Sequence, residues 1–409
     1  MKNKQSSPFN IAKLKGQGFS QFSAALLAIA LGLIFGLIVM IIAKPENAFY
    51  GFMNVLFGGF SRLGDVFYFA TPILMTGLAV GFAFKMGLFN IGASGQYTMG
   101  MFFAMYAGFM FKLPGALHWI VCILAGMIGG MLWGVIPGIL KAYANVNEVI
   151  TSIMLNYIGM YLVDMMVQGN ATMYVASKTR TAYLPASAQI PSLGIENSNV
   201  NFAIIIAILI AIVLFIVLNK TIFGYELKAT GFNKFASKYA GMNDKRNIIL
   251  TMLIAGGLAG LGGAFNILAP STISGSSMTY EPINIIAANG FNGIAVALLG
   301  SANPIGIIFS AVFISHIQRG GTIISSQFGY KPEIVDVVIA VIIYFSAFAM
   351  LMNMSVAKLI KKKRSKKDQT PHIGKASFSE DSKSVADNTV SEVNDSEKDT
   401  SVTKDQEEA

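Results

Sequence analysis

Long apolar runs, separated by charged residues, proline and glycine, occupy most of the first 356 residues. A helix of roughly 20 apolar residues matches the hydrocarbon thickness of a bilayer, about 30 Å. The pattern predicts ten membrane spans, at 22–43, 66–86, 94–112, 116–140, 148–168, 202–219, 248–268, 283–300, 304–318 and 333–353. We therefore expect an all-α polytopic membrane protein with about ten transmembrane helices.

Short or interrupted runs occur in both halves of the chain. The runs 283–300 and 304–318 are short, and asparagines and glycines interrupt the first of them between 289 and 293. Such runs are typical of the broken or half-length helices of transporters. The apolar segment 49–65 is too short for an ordinary span, and we expect an external interfacial or re-entrant piece there. As a span, it would change the parity of the topology.

The composition agrees with a membrane protein. The chain is 54% hydrophobic and only 12% charged, whereas soluble domains carry about 25% charged residues. The net charge of +9 does not indicate nucleic acid, because the basic residues before residue 368 stand at the ends of apolar runs. The last 42 residues, 368–409, are acidic and nearly free of large apolar side chains.

The distribution of lysine and arginine predicts the orientation. Basic residues precede the first run and crowd between 358 and 367, after the last run. Under the positive-inside rule both termini lie in the cytoplasm, which requires an even number of spans. The basic loop 220–247 is then cytoplasmic, and the loop 169–201 is external.

Three regions follow from this pattern. Residues 1–21 form a cytoplasmic N-terminus, and 22–356 form the transmembrane domain, with a cytoplasmic loop at 222–247. Residues 357–409 form a basic, then acidic, cytoplasmic tail that we expect to be disordered.

The loop 222–247 has the pattern of an amphipathic helix. Phe232, Phe235 and Tyr239 recur at i, i+3 and i+7, and two lysines lie on another face. Two interpretations stay open at this point. The loop is either a basic helix lying on the membrane surface or a surface that another protein binds.

Polar residues interrupt the apolar runs at four places, and such residues face a bundle interior or a water-filled path. Asparagine and glutamine offer donors and acceptors without charge, which suits a neutral, hydroxyl-rich solute. The alternative is a structural role in helix–helix hydrogen bonds and in capping broken helices. The candidate path residues are Asn90, Ser94, Gln96, Asn147, Glu148, Asn156, Asn266, Asn289 and Asn292.

A loose match between FNIGA at 89–93 and FNGIA at 291–295 favours an inverted repeat of the kind that transporters use.

Signatures of catalysis are missing from the sequence. It contains no GxxxxGK[ST] phosphate loop, no HExxH motif and no nucleophile elbow. A single cysteine, Cys122, and three scattered histidines offer no metal site. We therefore expect no catalytic residues, no metal and no ATPase site, so any ATP must be hydrolysed by another subunit.

Three stretches carry a resemblance to a known family. They are Gly87–Gly100 (GLFNIGASGQYTMG), Asn145–Gly159 (NVNEVITSIMLNYIG) and Gly224–Met242 (GYELKATGFNKFASKYAGM), the last followed by LAGLGGAF. The chain resembles permease subunits of bacterial ABC importers of the branched-chain amino acid, ribose and nucleoside group. The likeness covers most of 20–355 and is greatest to the larger permease of nucleoside uptake systems, with sugar permeases also similar.

The resemblance implies a transport subunit of the bacterial cell membrane, not an enzyme, with no cofactor in this chain. Its implied partners are a cytoplasmic ABC ATPase that holds the ATP, a second, similar permease, a substrate-binding lipoprotein outside and the membrane lipid. The 222–247 loop corresponds to the loop that docks into the ATPase. Carried over by position, with Phe235 added from its aromatic face, the coupling residues are Gly224, Glu226, Ala229, Gly231, Asn233, Phe235, Ala236, Tyr239, Ala240 and Gly241.

Two other classes of protein are alternatives. An ion-coupled secondary transporter of a small polar solute requires buried ionisable residues, in which the apolar runs are poor. A membrane scaffold or channel does not explain the amphipathic loop. The sequence does not identify the solute, because specificity is expected to lie largely in the external binding protein.

Overall fold

The computed structural model describes residues 11–195, 198–271, 276–331 and 333–345, and the tail 357–409 lies outside the described residues. The described chain is mostly helical. Its α-helices are α1 (Ile11–Ala43), α2 (Ala48–Phe57), α3 (Leu63–Lys85), α4 (Ala93–Met110), α5 (Ala116–Ala144), α6 (Glu148–Gln168), α7 (Ala203–Lys220), α8 (Ile222–Phe232), α9 (Lys234–Tyr239), α10 (Asp244–Ile267), α11 (Ala288–Leu299) and α12 (Pro304–Phe328), and residues 333–345 are also helical.

The remaining elements are small. Strand β1 (Tyr174–Val175) pairs antiparallel with β2 (Arg180–Thr181) in the connection between α6 and α7. Short 3-10 helices lie at Pro45–Asn47, Gly58–Arg62, Ala176–Lys178 and Ala186–Ala188.

Seven helices of the described chain are long and apolar enough to cross a membrane. They are α1, the run through α2 and α3, α5, α6, α7, α10 and α12. The prediction of an all-helical, multi-pass membrane protein is confirmed. The count of ten stays a prediction, because α4 is not among the seven and α11 has only 12 residues.

Glycines let α5 and α10 touch backbone to backbone at the centre of the bundle. A Cβ added to Gly130 would overlap the carbonyl oxygen of Gly256, and one added to Gly134 would lie 2.6 Å from the carbonyl oxygen of Met252. Gly260 likewise lies against the backbone of Gly126. The glycine repeat of α5 therefore serves close helix packing.

The predicted end of the span 304–318 was wrong. Helix α12 continues to Phe328, through a charged residue and two glycines that suggested a helix end. The guanidinium of Arg319 lies 2.7 Å from the carboxylate of Asp65 on α3, and Gly320 packs against the backbone of Val55 on α2. An ion pair and a close contact with distant residues thus hold the helix where the local sequence predicts its end.

One of the two runs expected to form short helices does so. The run 283–300 contains the short α11, which begins only at Ala288, whereas the run 304–318 belongs to the 25-residue α12. Helix α4 begins at Ala93 after a turn in which Gly87 has φ +74°. The starts of α4 and α11 meet inside the bundle, because a Cβ on Gly290 would overlap the backbone of Ser94.

The segment 49–65 forms α2, the 3-10 helix Gly58–Arg62 and the start of α3. Helix α2 packs against α12 through Val55. Its position at a membrane interface stays a prediction.

The first and last described helices are antiparallel neighbours. Gly32 and Gly36 of α1 lie against Ile342 and Val338 respectively. At the far end of this pair, the ammonium of Lys44 donates to the carbonyl oxygen of Gly329 at 2.9 Å. The two helices therefore lead away from this end of the bundle together.

Candidate functional site

The 222–247 loop forms two short helices instead of one. Helix α8 ends at Phe232, and α9 begins at Lys234. Between them Asn233 is extended, with φ −153°, and its side-chain oxygen accepts a hydrogen bond from the Ala236 amide at 3.0 Å. The prediction of a single helix through the aromatic residues was wrong, because asparagine caps a new helix where the pattern alone continues the old one.

The three aromatic side chains of this loop project into the open. Phe232, Phe235 and Tyr239 are 94%, 77% and 94% exposed. Three large aromatic side chains exposed within eight residues of one loop are typical of a surface that a partner covers. We call these three side chains the aromatic patch.

Buried contacts hold α8 against the bundle. Gly224 lies so close to the backbone of Val217 and Leu218 on α7 that no side chain fits there, and Leu227 is fully buried. At the other end of α8, a Cβ added to Gly231 would lie 2.6 Å from the carbonyl carbon of Met86, directly after α3.

Polar contacts complete the attachment. The amide of Asn247 on α10 donates to the hydroxyl of Thr230 at 3.3 Å, and both side chains are buried. Lys234 and Asp244 form an ion pair of 3.2 Å that ties α9 to the start of α10. Helices α8 and α9 are therefore attached to α3, α7 and α10.

The structure divides the predicted coupling residues by exposure. Gly224 is buried, and Glu226 and Ala229 are partly buried. The exposed ones are Gly231, Asn233, Phe235, Ala236, Tyr239, Ala240 and Gly241.

A polar cluster joins α3, α4 and α11 where the two broken helices begin. The hydroxyl of Thr76 donates to the backbone oxygen of Asn289 at 2.8 Å, and the Asn289 amide donates to the Tyr97 hydroxyl at 3.0 Å. The hydroxyl of Ser94 donates to the backbone oxygen of Ala287 at 3.0 Å. We call Thr76, Ser94, Tyr97 and Asn289 the central cluster.

A second set of amides supports the start of α4. Asn90 and Gln96 exchange two hydrogen bonds, of 2.9 and 3.1 Å. Asn156 of α6 accepts from the Gly95 amide at 2.8 Å and donates to the backbone oxygen of Ile91 at 3.1 Å. All three side chains are almost completely buried. These contacts have the structural role that was the alternative to a path. They provide hydrogen-bond partners for the backbone at the start of a helix that begins inside the bundle.

Ser152 of α6 was not predicted as a path residue. It is fully buried, and its hydroxyl has no hydrogen-bond partner among the described residues. Asn266, Asn289 and Asn292 are only partly buried.

Asn147 and Glu148 lie at the start of α6, apart from the central cluster. Asn147 caps the helix by accepting from the Val149 amide at 2.9 Å. Glu148 forms an ion pair with Lys141 of α5 at 2.9 Å.

A buried carboxylate in the last two turns of α6, Asp164, was not among the predicted site residues. One of its oxygens accepts from the Tyr280 hydroxyl at 2.5 Å, and the other from the Asn284 amide at 2.8 Å. Burial, and then the hydrogen bond to Asp164, raise the pKa of Tyr280, so the phenol stays protonated and donates. Asp164 thus holds the chain that leads into α11.

The same chain is bound from its other side by the α6–α7 connection. Thr181 and Tyr280 exchange two hydrogen bonds, of 2.8 and 2.9 Å, and the Leu184 amide donates to the Ser277 hydroxyl at 2.8 Å. The α6–α7 connection, α6 and the start of α11 are therefore linked through residues 276–284.

Sequence reasoning missed Thr76, Tyr97 and Asp164. Thr76 and Asp164 lie within apolar runs, and Tyr97 follows the predicted Gln96 directly. Their partners are 116 to 213 residues away in the chain. A usable signal was the cost of a carboxylate such as Asp164 inside a span, which marks a residue with a specific partner.

Comparison with known proteins identifies a family of membrane permeases. The profile of the "Branched-chain amino acid transport system / permease component" family matches residues 62–347. The guanosine ABC transporter permease protein NupP of Bacillus subtilis is 36% identical over 347 residues, which cover 84% of this chain and 98% of the relative.

Two further relatives cover most of the chain. The nucleoside ABC transporter permease protein NupB of Lactococcus lactis is 36% identical over 81% of this chain and 92% of its own length. The glucose ABC transporter permease protein TsgB13 of Haloferax volcanii is 28% identical over 75% of this chain and 82% of its own. With its helical bundle, exposed aromatic patch and matching family profile, the chain belongs to the permease components of branched-chain amino acid-type ABC transport systems.

Proposed function

We propose that the chain is the permease subunit of an ATP-driven importer of nucleosides. The two relatives at 36% identity are named as guanosine and nucleoside permeases and match nearly over their whole length. The more distant glucose permease supports simple sugars as a second solute class. ATP would be bound by a separate ABC ATPase, so this chain has no cofactor of its own.

The observation that carries this proposal is the exposed aromatic patch on firmly held helices. A partner ATPase would cover Phe232, Phe235 and Tyr239 and bury their apolar area. Because Gly231 contacts the chain after α3, a movement of α8 displaces the end of that helix. Helix α3 also carries Thr76 of the central cluster, so one helix connects the ATPase surface with the solute path.

The geometry supports the orientation with both termini in the cytoplasm. The end of α3 beside α8 is opposite to the end at which Asp65 pairs with Arg319. Helix α12 ends beside Lys44, which follows the last residue of α1. Because α1 and the helix over 333–345 are antiparallel neighbours that meet at this end, the start of α1 and the end of the other helix both lie towards α8 and α9. With the ATPase on that side, the start of α1 and the end of the helix over 333–345 would face the cytoplasm.

The solute path would pass the central cluster and the partly buried asparagines. A nucleoside presents ribose hydroxyls and a base with donors and acceptors, which amide side chains match without charge. Asn289 and Asn292 lie three residues apart in the first turns of α11, so both amides can face the same solute. The second permease and the external binding lipoprotein would complete this path.

We expect Phe235→Asp to abolish nucleoside uptake and to release the ATPase. The substitution puts a charge into the centre of the aromatic patch, where a partner would desolvate it. The test is uptake into cells that express the whole importer, together with co-purification of the ATPase. Phe235→Leu is the control, because it keeps an apolar side chain and should retain both. Unchanged uptake by the aspartate variant, or gradient-driven uptake by this chain alone, would refute the coupling role.

We expect Tyr97→Phe to slow uptake several-fold without loss of protein. The change removes only the hydroxyl that accepts from Asn289, and one such hydrogen bond contributes about 0.5–1.5 kcal/mol. Tyr106→Phe on the same helix is the control, since Tyr106 is 45% exposed. Equal uptake rates for both variants would show that the Tyr97 hydroxyl does not contribute to the solute path.

A further inference from the structure

An open groove lies between the end of α5 and the start of α10, and it contains no residue of the aromatic patch. It combines basic, aromatic and aliphatic side chains. Its lining residues are Tyr143, Asn243, Lys245, Arg246, Ile249 and Leu250.

The described residues that line the groove include two cationic groups and no carboxylate. The Lys245 ammonium lies 4.7 Å from the centre of the Tyr143 ring. Arg246 forms no ion pair with any described residue. The acidic residues nearest in sequence to the groove, Asp244 and Glu148, are each already paired with another lysine. The groove therefore favours an anion.

The apolar surface of α5 leads into this groove. Leu124, Ile128, Leu132 and Ile139 are all 45–55% exposed, and their spacing places them on the same side of the helix as Tyr143. Tyr143 itself is 68% exposed in the last turn of α5, a position typical of an aromatic residue at the boundary between hydrocarbon and water. A soluble anion would use the basic groups but leave this apolar surface unused.

We propose that the groove binds an anionic phospholipid. The phosphate contacts Lys245 and Arg246, and an acyl chain lies along the exposed face of α5. Both charged groups stand where the apolar face ends, which is the position of a headgroup. The site goes beyond the proposed transport function, because it concerns the lipid that surrounds the permease and not the solute.

The experiment measures lipid retention by the purified full-length chain. Detergent-solubilised protein is exchanged into equal amounts of phosphatidylglycerol and phosphatidylcholine with identical acyl chains, and native mass spectrometry counts the bound lipid. Wild type is expected to retain phosphatidylglycerol in preference. The double variant Lys245→Gln/Arg246→Gln is expected to retain it about tenfold more weakly, since both charges near the headgroup are lost.

Two controls separate a site from general attraction. Lys178→Gln/Arg180→Gln removes the same charge from the opposite end of the bundle, where Arg180 also lies 4.7 Å from a tyrosine ring, and should retain the lipid. Lys245→Arg/Arg246→Lys keeps both charges and should also retain it.

Several results would overturn the proposal. The proposal is wrong if wild type retains both lipids equally. It is also wrong if wild type and the double glutamine variant retain phosphatidylglycerol equally. Displacement of the lipid by millimolar inorganic phosphate would assign the groove to a soluble anion. If the double glutamine variant retained phosphatidylglycerol but no longer co-purified with the ATPase from cells that express the whole importer, the groove would be a binding site for the ATPase. Monodisperse elution of the variants shows that each of these readings concerns folded protein.

Discussion

Asp164→Ala is expected to abolish uptake while the ATPase stays bound. The change leaves the Tyr280 hydroxyl and the Asn284 amide without their acceptor, and each unpaired buried donor costs about 1–3 kcal/mol. Residues 280–284 would then separate from α6, and α11 would lose its fixed starting point next to Ser94. Uptake assays and ATPase co-purification on the same membranes measure the two effects separately.

Two variants serve as controls for Asp164. Asp164→Asn keeps one acceptor oxygen and is expected to retain partial uptake. Glu281→Gln neutralises an exposed carboxylate in the same segment and should leave uptake unchanged. Full uptake by Asp164→Ala would contradict a role of this carboxylate in transport. Joint loss of uptake and ATPase binding would contradict a role confined to the end of the bundle opposite to α8 and α9.

Gly130→Leu is expected to prevent the bundle from assembling. Even a methyl group at this position would overlap the carbonyl oxygen of Gly256, so α5 and α10 would have to move apart. Overpacking of a core typically costs about 1–3 kcal/mol, and more where backbone meets backbone. The yield of monodisperse protein and its thermal unfolding midpoint in detergent measure the effect.

The control for Gly130 lies on the same helix. Ala116→Leu enlarges an exposed residue in the first turn of α5 and should change neither quantity. A Gly130→Leu variant with the yield and unfolding midpoint of wild type would show that α5 and α10 separate without cost.

The fold was predictable to the extent that it depends on local apolar patterns. The helices and the short α11 follow from runs and interruptions in the sequence. The end of α12 does not, because the Arg319–Asp65 ion pair joins residues 254 positions apart. The division of α8 and α9 depends on a single cap at Asn233, which competes with continuation of the same helix.

The candidate site divides in the same way. The exposed position of the aromatic patch follows from its place in a polar loop. The roles of Thr76 and Tyr97 depend on Asn289, which only the folded chain brings to them. Asn90 and Gln96 were recognisable as polar interruptions, but nothing local indicates that they bond mainly to each other.

The meeting of the starts of α4 and α11 has an electrostatic consequence. A helix carries roughly half a positive charge at its N-terminus, and here two such ends adjoin around Ser94 and Gly290. The middle of the proposed path would therefore have a partial positive charge although the described central cluster contains no cationic side chain. We expect this charge to repel small cations and to attract the oxygen atoms of a sugar ring. Nucleosides would pass this point while the ion gradients of the cell are preserved.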